Sequence, residues 1–341
     1  MRSSACDCKH LASLPGRAGV LVCSATTREM GIMDDVGAPL QSKHIVDVLI
    51  EERAPHLSNG PFWPLLRPML YAVLNYDKAR YMGDRIASMC GHDALEFIAQ
   101  LLSVRLDVSG LYRLPASGPF FILANHPTGI TDGIAMYDAV KHARPDVKFY
   151  ANSDAHRACP GFIDNLIPVE WVPGKRTRER TRVTLKMTEA AMEAGEPIMI
   201  FPAGRLARRR DGVLVDPEWM PTAVSLARKY ELPIVPCNVA GPYAFWFHSF
   251  AAISSELRDI TLFHELLNKR GKTYRLNFGR AIPPDQLAGD ANVVTRRIKH
   301  YIERVLGDGP DAVFDPEGPE CAWRDPPAAA PAAKLARKAG N

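Results

Sequence analysis

The segment FFILANHPTGITDG sets His126, preceded by Asn125, six positions ahead of Asp132, and it is here that the side-chain types of this 341-residue chain best suit proton transfer. An imidazole titrates near neutrality and can take a proton from a hydroxyl or from water. A carboxylate on its other ring nitrogen fixes the tautomer and stabilises the cation that forms. Five residues separate His126 from Asp132, so the two side chains meet only if the chain turns back tightly, which Gly129 allows. The same letters suit a plainer arrangement, with a histidine at a strand end and Asp132 capping the helix that follows.

The apolar run Phe120 to Ala124 reads as a strand leading into the pair, which puts the polar residues at its carboxyl end, where open α/β sheets place their sites. Further short apolar runs follow at Val147 to Ala151, Ile167 to Val169, Ile198 to Phe201, Ile234 to Val239 and Tyr274 to Phe278. Helical spacing separates several of them, as at Val183, Met187, Ala190 and Ala194, and at Ala223, Leu226, Ala227 and Tyr230. The alternation predicts an α/β fold with a mostly parallel central sheet covered by helices. Ahead of it, apolar residues from Ile45 to Leu102 recur with helical period, so the N-terminal segment is expected to hold helices and no strand.

Four regions are expected: a disordered N-terminal extension over 1–36, where Met30 or Met33 could be the true start; a helical segment over 37–107; an α/β domain over 108–306; and a flexible Pro/Ala-rich tail over 307–341. Within the helical segment, PFWPLLRPMLYAVLNYDKAR combines Phe62, Trp63 and Tyr71 with a leucine-rich stripe and with Arg67, Lys78 and Arg80. That composition suits a helix lying in a bilayer interface, and equally one packed on the α/β domain.

Composition narrows the partners. Forty-two basic against 38 acidic residues leave a net charge of +4, and no stacking aromatics interleave the basic clusters, so nucleic acid is not expected. The seven cysteines are scattered without metal-type pairing and read as reduced thiols of a cytosolic protein. The uncharged stretch from Leu232 to Ile253 is broken by Pro233, Pro236, Gly241 and Pro242, which favours a buried strand and an apolar loop or helix over a membrane span.

A second block, EPIMIFPAGRLARRRDG, repeats the order of apolar strand, Pro-Gly turn and polar loop. Together the two blocks resemble the NHxxxxD and FPEG motifs of the glycerolipid acyltransferase family, and especially its hemolysin-like lysophospholipid acyltransferase branch, where an HPxGxxDG form occurs. Two departures stand out: five residues rather than four between His126 and Asp132, and Ala203 where most members have glutamate. LARKYELPIVPCNVAG and HELLNKRGKTYRLNFGRAIPP are also similar to that branch, and the likeness spans about residues 60 to 306.

The resemblance implies transfer of a fatty-acyl group from acyl-CoA or acyl-acyl carrier protein to the hydroxyl of a lysolipid, with lysophosphatidate or another lysophospholipid as the acceptor. No cofactor and no metal are expected. It implies His126 as the base and Asp132 as its brace, with Asn125, Gly129, Phe201, Pro202, Gly204 and Arg205 lining the substrate. Arg205 is the natural anion ligand, since a guanidinium grips a phosphate through two hydrogen bonds. Lys175 or Arg176 would add a second basic contact, and backbone N–H groups near Gly129 or the next helix would hold the oxyanion. Because lysolipids live in membranes, the expected location is peripheral, on the cytoplasmic face. Two other readings stay open: a lipid hydrolase using the same His/Asp pair, and an inactive lipid-binding scaffold.

Overall fold

The computed structural model describes residues 43–170, 176–210, 213–242, 256 and 260–321. The expected extension over 1–36, residues 243–255 and the end of the tail, 322–341, lie outside the described residues.

At the centre is strand β2 (Phe121–Ala124), every residue of which is buried. It pairs in parallel with β5 (Ile198–Ile200) on one side and β8 (Ile234–Ala240) on the other. β3 (Lys148–Asn152) and β4 (Leu166–Val169) extend the β5 side, again in parallel. Beyond β8 the direction reverses. β9 (Thr273–Phe278) runs antiparallel to β8, and β1 (Arg105–Ser109) forms the other edge, parallel to β9. The mostly parallel sheet is therefore as expected, but β1 was not. Its sequence RLDVS alternates charged and apolar side chains, the pattern of a half-exposed edge rather than of a buried strand. It straddles the boundary expected at 107/108 and ties the helical segment to the sheet.

Helices cover both faces because β2 and its neighbours are apolar on both. Phe120, Ile122, Ala124, Met199 and Phe201 face a core built with α4 (Tyr76–Ile86), α5 (Gly91–Leu102) and α6 (Ile130–Val140). Phe121, Leu123, Ile198 and Ile200 face α8 (Arg178–Glu193), α9 (Thr222–Lys229) and α11 (Ala291–His300). The other α-helices among the described residues are α1 (Ile45–Arg53), α2 (Pro55–Ser58), α3 (Trp63–Val73), α7 (Asp154–Ala158) and α10 (Leu262–Leu267).

In the N-terminal segment, buried Asp47 of α1 accepts hydrogen bonds from Tyr71 (2.7 Å), Tyr76 (2.8 Å) and Arg67 (3.3 Å), so its charge is matched and α1 is pinned to α3 and α4. α3 turns Trp63 inward and leaves Phe62, Leu65, Met69 and Val73 between 66% and 70% exposed.

Two further expectations change. The polar loop expected after the Pro-Gly turn of the second block contains a strand: Arg208–Arg210 form β6, paired antiparallel with β7 (Val213–Val215). The tail expected to be flexible from 307 is packed as far as 321. Phe314 lies edge-on against Tyr301 with centroids 5.7 Å apart, the Tyr301 hydroxyl donates to Ala312 O at 2.7 Å, and Cys321 N donates to Arg296 O at 3.2 Å. The buried Phe314 ring, these hydrogen bonds and the ion pairs of Arg296 with Glu320 and Arg297 with Glu317 together seat it.

Candidate active site

His126 leaves the end of β2 and Asp132 lies in the first turn of α6, so strand and helix aim both side chains into one loop. Gly129 makes the turn with φ of +111°, a region closed to most L-residues. His126 Nδ1 then sits 2.9 Å from Asp132 Oδ2. Asp132 is fully buried, while the His126 side chain keeps 16% exposure.

The carboxylate is further held by Thr128 N (2.9 Å) and Gly129 N (3.1 Å) on Oδ2, and by the Thr128 hydroxyl on Oδ1. Because that hydroxyl's proton points to Asp132, the Tyr274 hydroxyl, 2.9 Å from Thr128 Oγ1, is the donor in the next link. Burial first, and then the Asp132 charge, push the Tyr274 phenol well above its ordinary range, so it remains a neutral donor. An ionised Asp132 surrounded by donors accepts from His126 Nδ1–H, which leaves Nε2 unprotonated and able to act as a base. The capping and chemical roles of Asp132 thus coexist: it braces His126 and satisfies amides at the start of α6.

The second block folds onto the first. Phe201 stacks on the His126 ring with centroids 4.2 Å apart and planes inclined by 18°. Ala207 N donates to His126 O at 3.0 Å. Gly204, with φ of +59°, turns the chain between them and places Arg205 exposed, two residues before that bond, with no carboxylate pairing it among the described residues.

Pro202 and Ile200 point away from His126 and line a cavity of about 180 Å³ with Val169, Arg176, Thr184 and Met220. Arg176 stands at this cavity, its Nε donating to Glu170 O at 3.1 Å, so it belongs to the β4–α8 side rather than to the His126 side. Lys175 lies outside the described residues. Asn125, expected to face substrate, is committed elsewhere: its amide donates to Val239 O at 2.9 Å and accepts from Val239 N at 2.7 Å. It locks β2 to β8 just beneath His126. The Gly129 amide, expected near the oxyanion, is taken by Asp132.

Asp216 was not anticipated. It follows β7, is buried, and both its oxygens accept from His126 N at 3.1 Å. Trp219 Nε1 donates to its Oδ2 at 3.0 Å, and its own N–H donates to Glu303 Oε1 at 2.9 Å. Glu303 is paired with buried Lys299 at 2.6 Å. Burial, and then the Glu303 charge, push Asp216 up to about 7. It lies 90 positions from His126 in a segment, DPEWM, that carries no recognisable signal.

Residues 105–240 match the family profile described as Acyltransferase. A lyso-glycine lipid O-acyltransferase of Phocaeicola vulgatus is 31% identical over 200 residues, covering 57% of this chain and 70% of that protein. The chain belongs to the glycerolipid acyltransferase family. A second lyso-glycine lipid O-acyltransferase, from Bacteroides thetaiotaomicron, is 27% identical to this acyltransferase over 221 residues, 63% of the chain and 79% of the relative. Among solved structures, the 1-acyl-sn-glycerophosphate acyltransferase PlsC of Thermotoga maritima aligns with a TM-score of 0.42 and 13% identity, over 76% of this chain and 97% of that one. This acyltransferase is an O-acyltransferase, and both family blocks lie within the matched residues 105–240.

Proposed function

We propose that this acyltransferase moves a fatty-acyl group from an acyl thioester to the free hydroxyl of a lysolipid, with His126 as the general base. The supporting observation is the 2.9 Å contact of Nδ1 with buried Asp132, which frees Nε2 on a ring that is still partly open to solvent. The acceptor O–H gives its proton to Nε2 as its oxygen bonds to the thioester carbonyl carbon. The tetrahedral oxyanion collapses, the C–S bond breaks, and the imidazolium returns the proton to the departing thiolate, leaving ester and free thiol. With Thr128 N and Gly129 N committed to Asp132, we assign the developing charge to the first-turn amides of α6 at Ile130 and Thr131.

Arg205, exposed beside the loop that binds His126 O, supplies the charge for the acceptor's anionic headgroup. Lysophosphatidate or another lysophospholipid fits a guanidinium in this place. A lysolipid with an amino-acid headgroup fits it equally through a carboxylate, and the names of the two relatives favour that second reading. The acceptor approaches from a membrane. Phe62, Leu65, Met69 and Val73 form one exposed apolar stripe on α3 with Arg67 beside it, the arrangement of a helix seated in a bilayer interface, and we place the enzyme peripherally on the cytoplasmic face. No helix among the described residues is long and apolar enough to cross a membrane.

The test incubates purified protein with lysophosphatidate, other lysophospholipids and amino-acid lysolipids, each with acyl-CoA and with acyl-acyl carrier protein, and identifies products by mass. A doubly acylated lipid formed together with free thiol supports the proposal. Release of free fatty acid without ester would establish a hydrolase, and binding without thioester consumption a scaffold.

A further inference from the structure

At the His126 backbone amide begins a second set of buried ionisable groups that the transfer steps above do not use. Asp216 accepts the His126 amide through both oxygens, so with Ala207 on the carbonyl the backbone of the base is clamped at both ends. A neutral amide or hydroxyl could accept the His126 and Trp219 N–H groups at a lower desolvation cost than a carboxylate. Instead the chain buries an acid there and sets a second acid, Glu303, against its amide at 2.9 Å. Lys299, whose positive charge acts on Asp216, forms no ion pair with it. It binds Glu303 at 2.6 Å and reaches the Cys321 thiol at 3.5 Å.

We propose that Asp216 is a positioning residue for acyl transfer: it holds the His126 backbone and places a second negative charge within electrostatic reach of the imidazole, and the Glu303–Lys299 pair controls whether that charge is present. The proposal rests on His126 being the base. When the imidazole takes the acceptor's proton, Asp132 stabilises the cation through Nδ1 and Asp216 stabilises it through space, since the charges of His126 and Asp216 attract. The groups facing Asp216 are His126 with Asp132 from the β2–α6 loop, Trp219 from its own segment, and Lys299, Glu303 and Cys321 from the C-terminal helix and the segment packed on it. Of these, Glu303 holds the proton on Asp216, while the positive charges of Lys299 and protonated His126 release it. Cys321 bridges to the pair, with its thiol 3.8 Å from Glu303 Oε2, so the seated C-terminal segment closes the network.

The signs follow. Activity rises as Asp216 loses its proton, so this group contributes to the acid limb of the rate profile. Removing the Glu303 charge lets the proton leave at lower pH.

The experiment measures kcat and both KM values of the full chain against pH for wild type, D216N, E303Q and H126A, using one lysolipid and one thioester. D216N is expected to lower kcat at least about tenfold, the equivalent of one pKa unit of lost interaction, and to flatten the acid limb, with both KM values within about twofold of wild type. E303Q is expected to move the acid limb to lower pH. A wild-type kcat with a superimposable profile in D216N, or an unmoved limb in E303Q, overturns the proposal. Should D216N fail to fold, the direction of the E303Q limb decides alone. Turnover surviving in H126A would defeat the base assignment itself, whereas a fully active D216N beside an inactive H126A defeats only the role of Asp216.

Discussion

Phe201 lies flat against His126, ring centroids 4.2 Å apart, and this contact makes a single site of two sequence blocks that are 75 positions apart. A stacked ring restricts rotation of the imidazole and keeps water off one face. Phe201→Leu retains apolar volume and loses the flat surface, so it should cost about 1 kcal/mol of stability and lower kcat about tenfold, equivalent to 1.4 kcal/mol on the barrier. Thermal unfolding and steady-state rates check the two numbers separately.

Asp132 binds the amides before the helix and the His126 ring at once. Asp132→Asn keeps the size and one acceptor oxygen but loses the charge and the second acceptor, and its amide N–H groups must face either the Thr128 hydroxyl or the Thr128, Gly129 and His126 donors. Stability should fall by about 1–3 kcal/mol. Turnover should fall at least about 100-fold, because an amide neither fixes the tautomer nor steadies the imidazolium. A variant equally destabilised but still active would assign Asp132 to capping alone.

How much of this was visible in the letters follows from sequence distance. His126 and Asp132 were legible because one loop with one glycine brings them together, whereas Phe201 entered only through the resemblance of its block to the FPEG motif. Asp216 was not, since its partner amide lies 90 positions away and a lone acid in a loop gives no periodicity. β1 was hidden because an edge strand can be polar. The role of Asn125 between strands was hidden for a related reason: its amide partner, Val239, lies across the sheet and far along the chain. The hydroxyl chain from Tyr274 through Thr128 was invisible because a tyrosine in an apolar strand reads as core until its partner is known.

Arg205 is exposed and is expected to bind only the acceptor's anion. Arg205→Ala should raise the acceptor KM about 10- to 100-fold, the loss of a charged hydrogen bond, with kcat and the thioester KM little changed. Initial rates with each substrate varied in turn check this, and an unchanged acceptor KM would move the headgroup site elsewhere, Arg176 being the alternative.

Asp216 also marks stability. Its folded pKa of about 7 lies above the carboxylate value of about 3.9 in an unfolded chain. Its contribution is therefore fully present below the unfolded value and is lost as pH rises through about 7. Asp216→Asn removes that titration. The melting temperature of wild type should fall relative to the variant between about pH 5 and about pH 8, and a constant difference measured by calorimetry across that range would contradict the buried, proton-holding state.

The most direct measurement of the central claim is the turnover of His126→Ala with lysolipid and thioester at saturation, alongside its circular dichroism and melting curve. Loss of the base predicts a fall of at least about 100-fold in a protein that unfolds as cooperatively as wild type. Near-normal ester formation by the folded variant would mean that another group removes the proton, and would contradict the account.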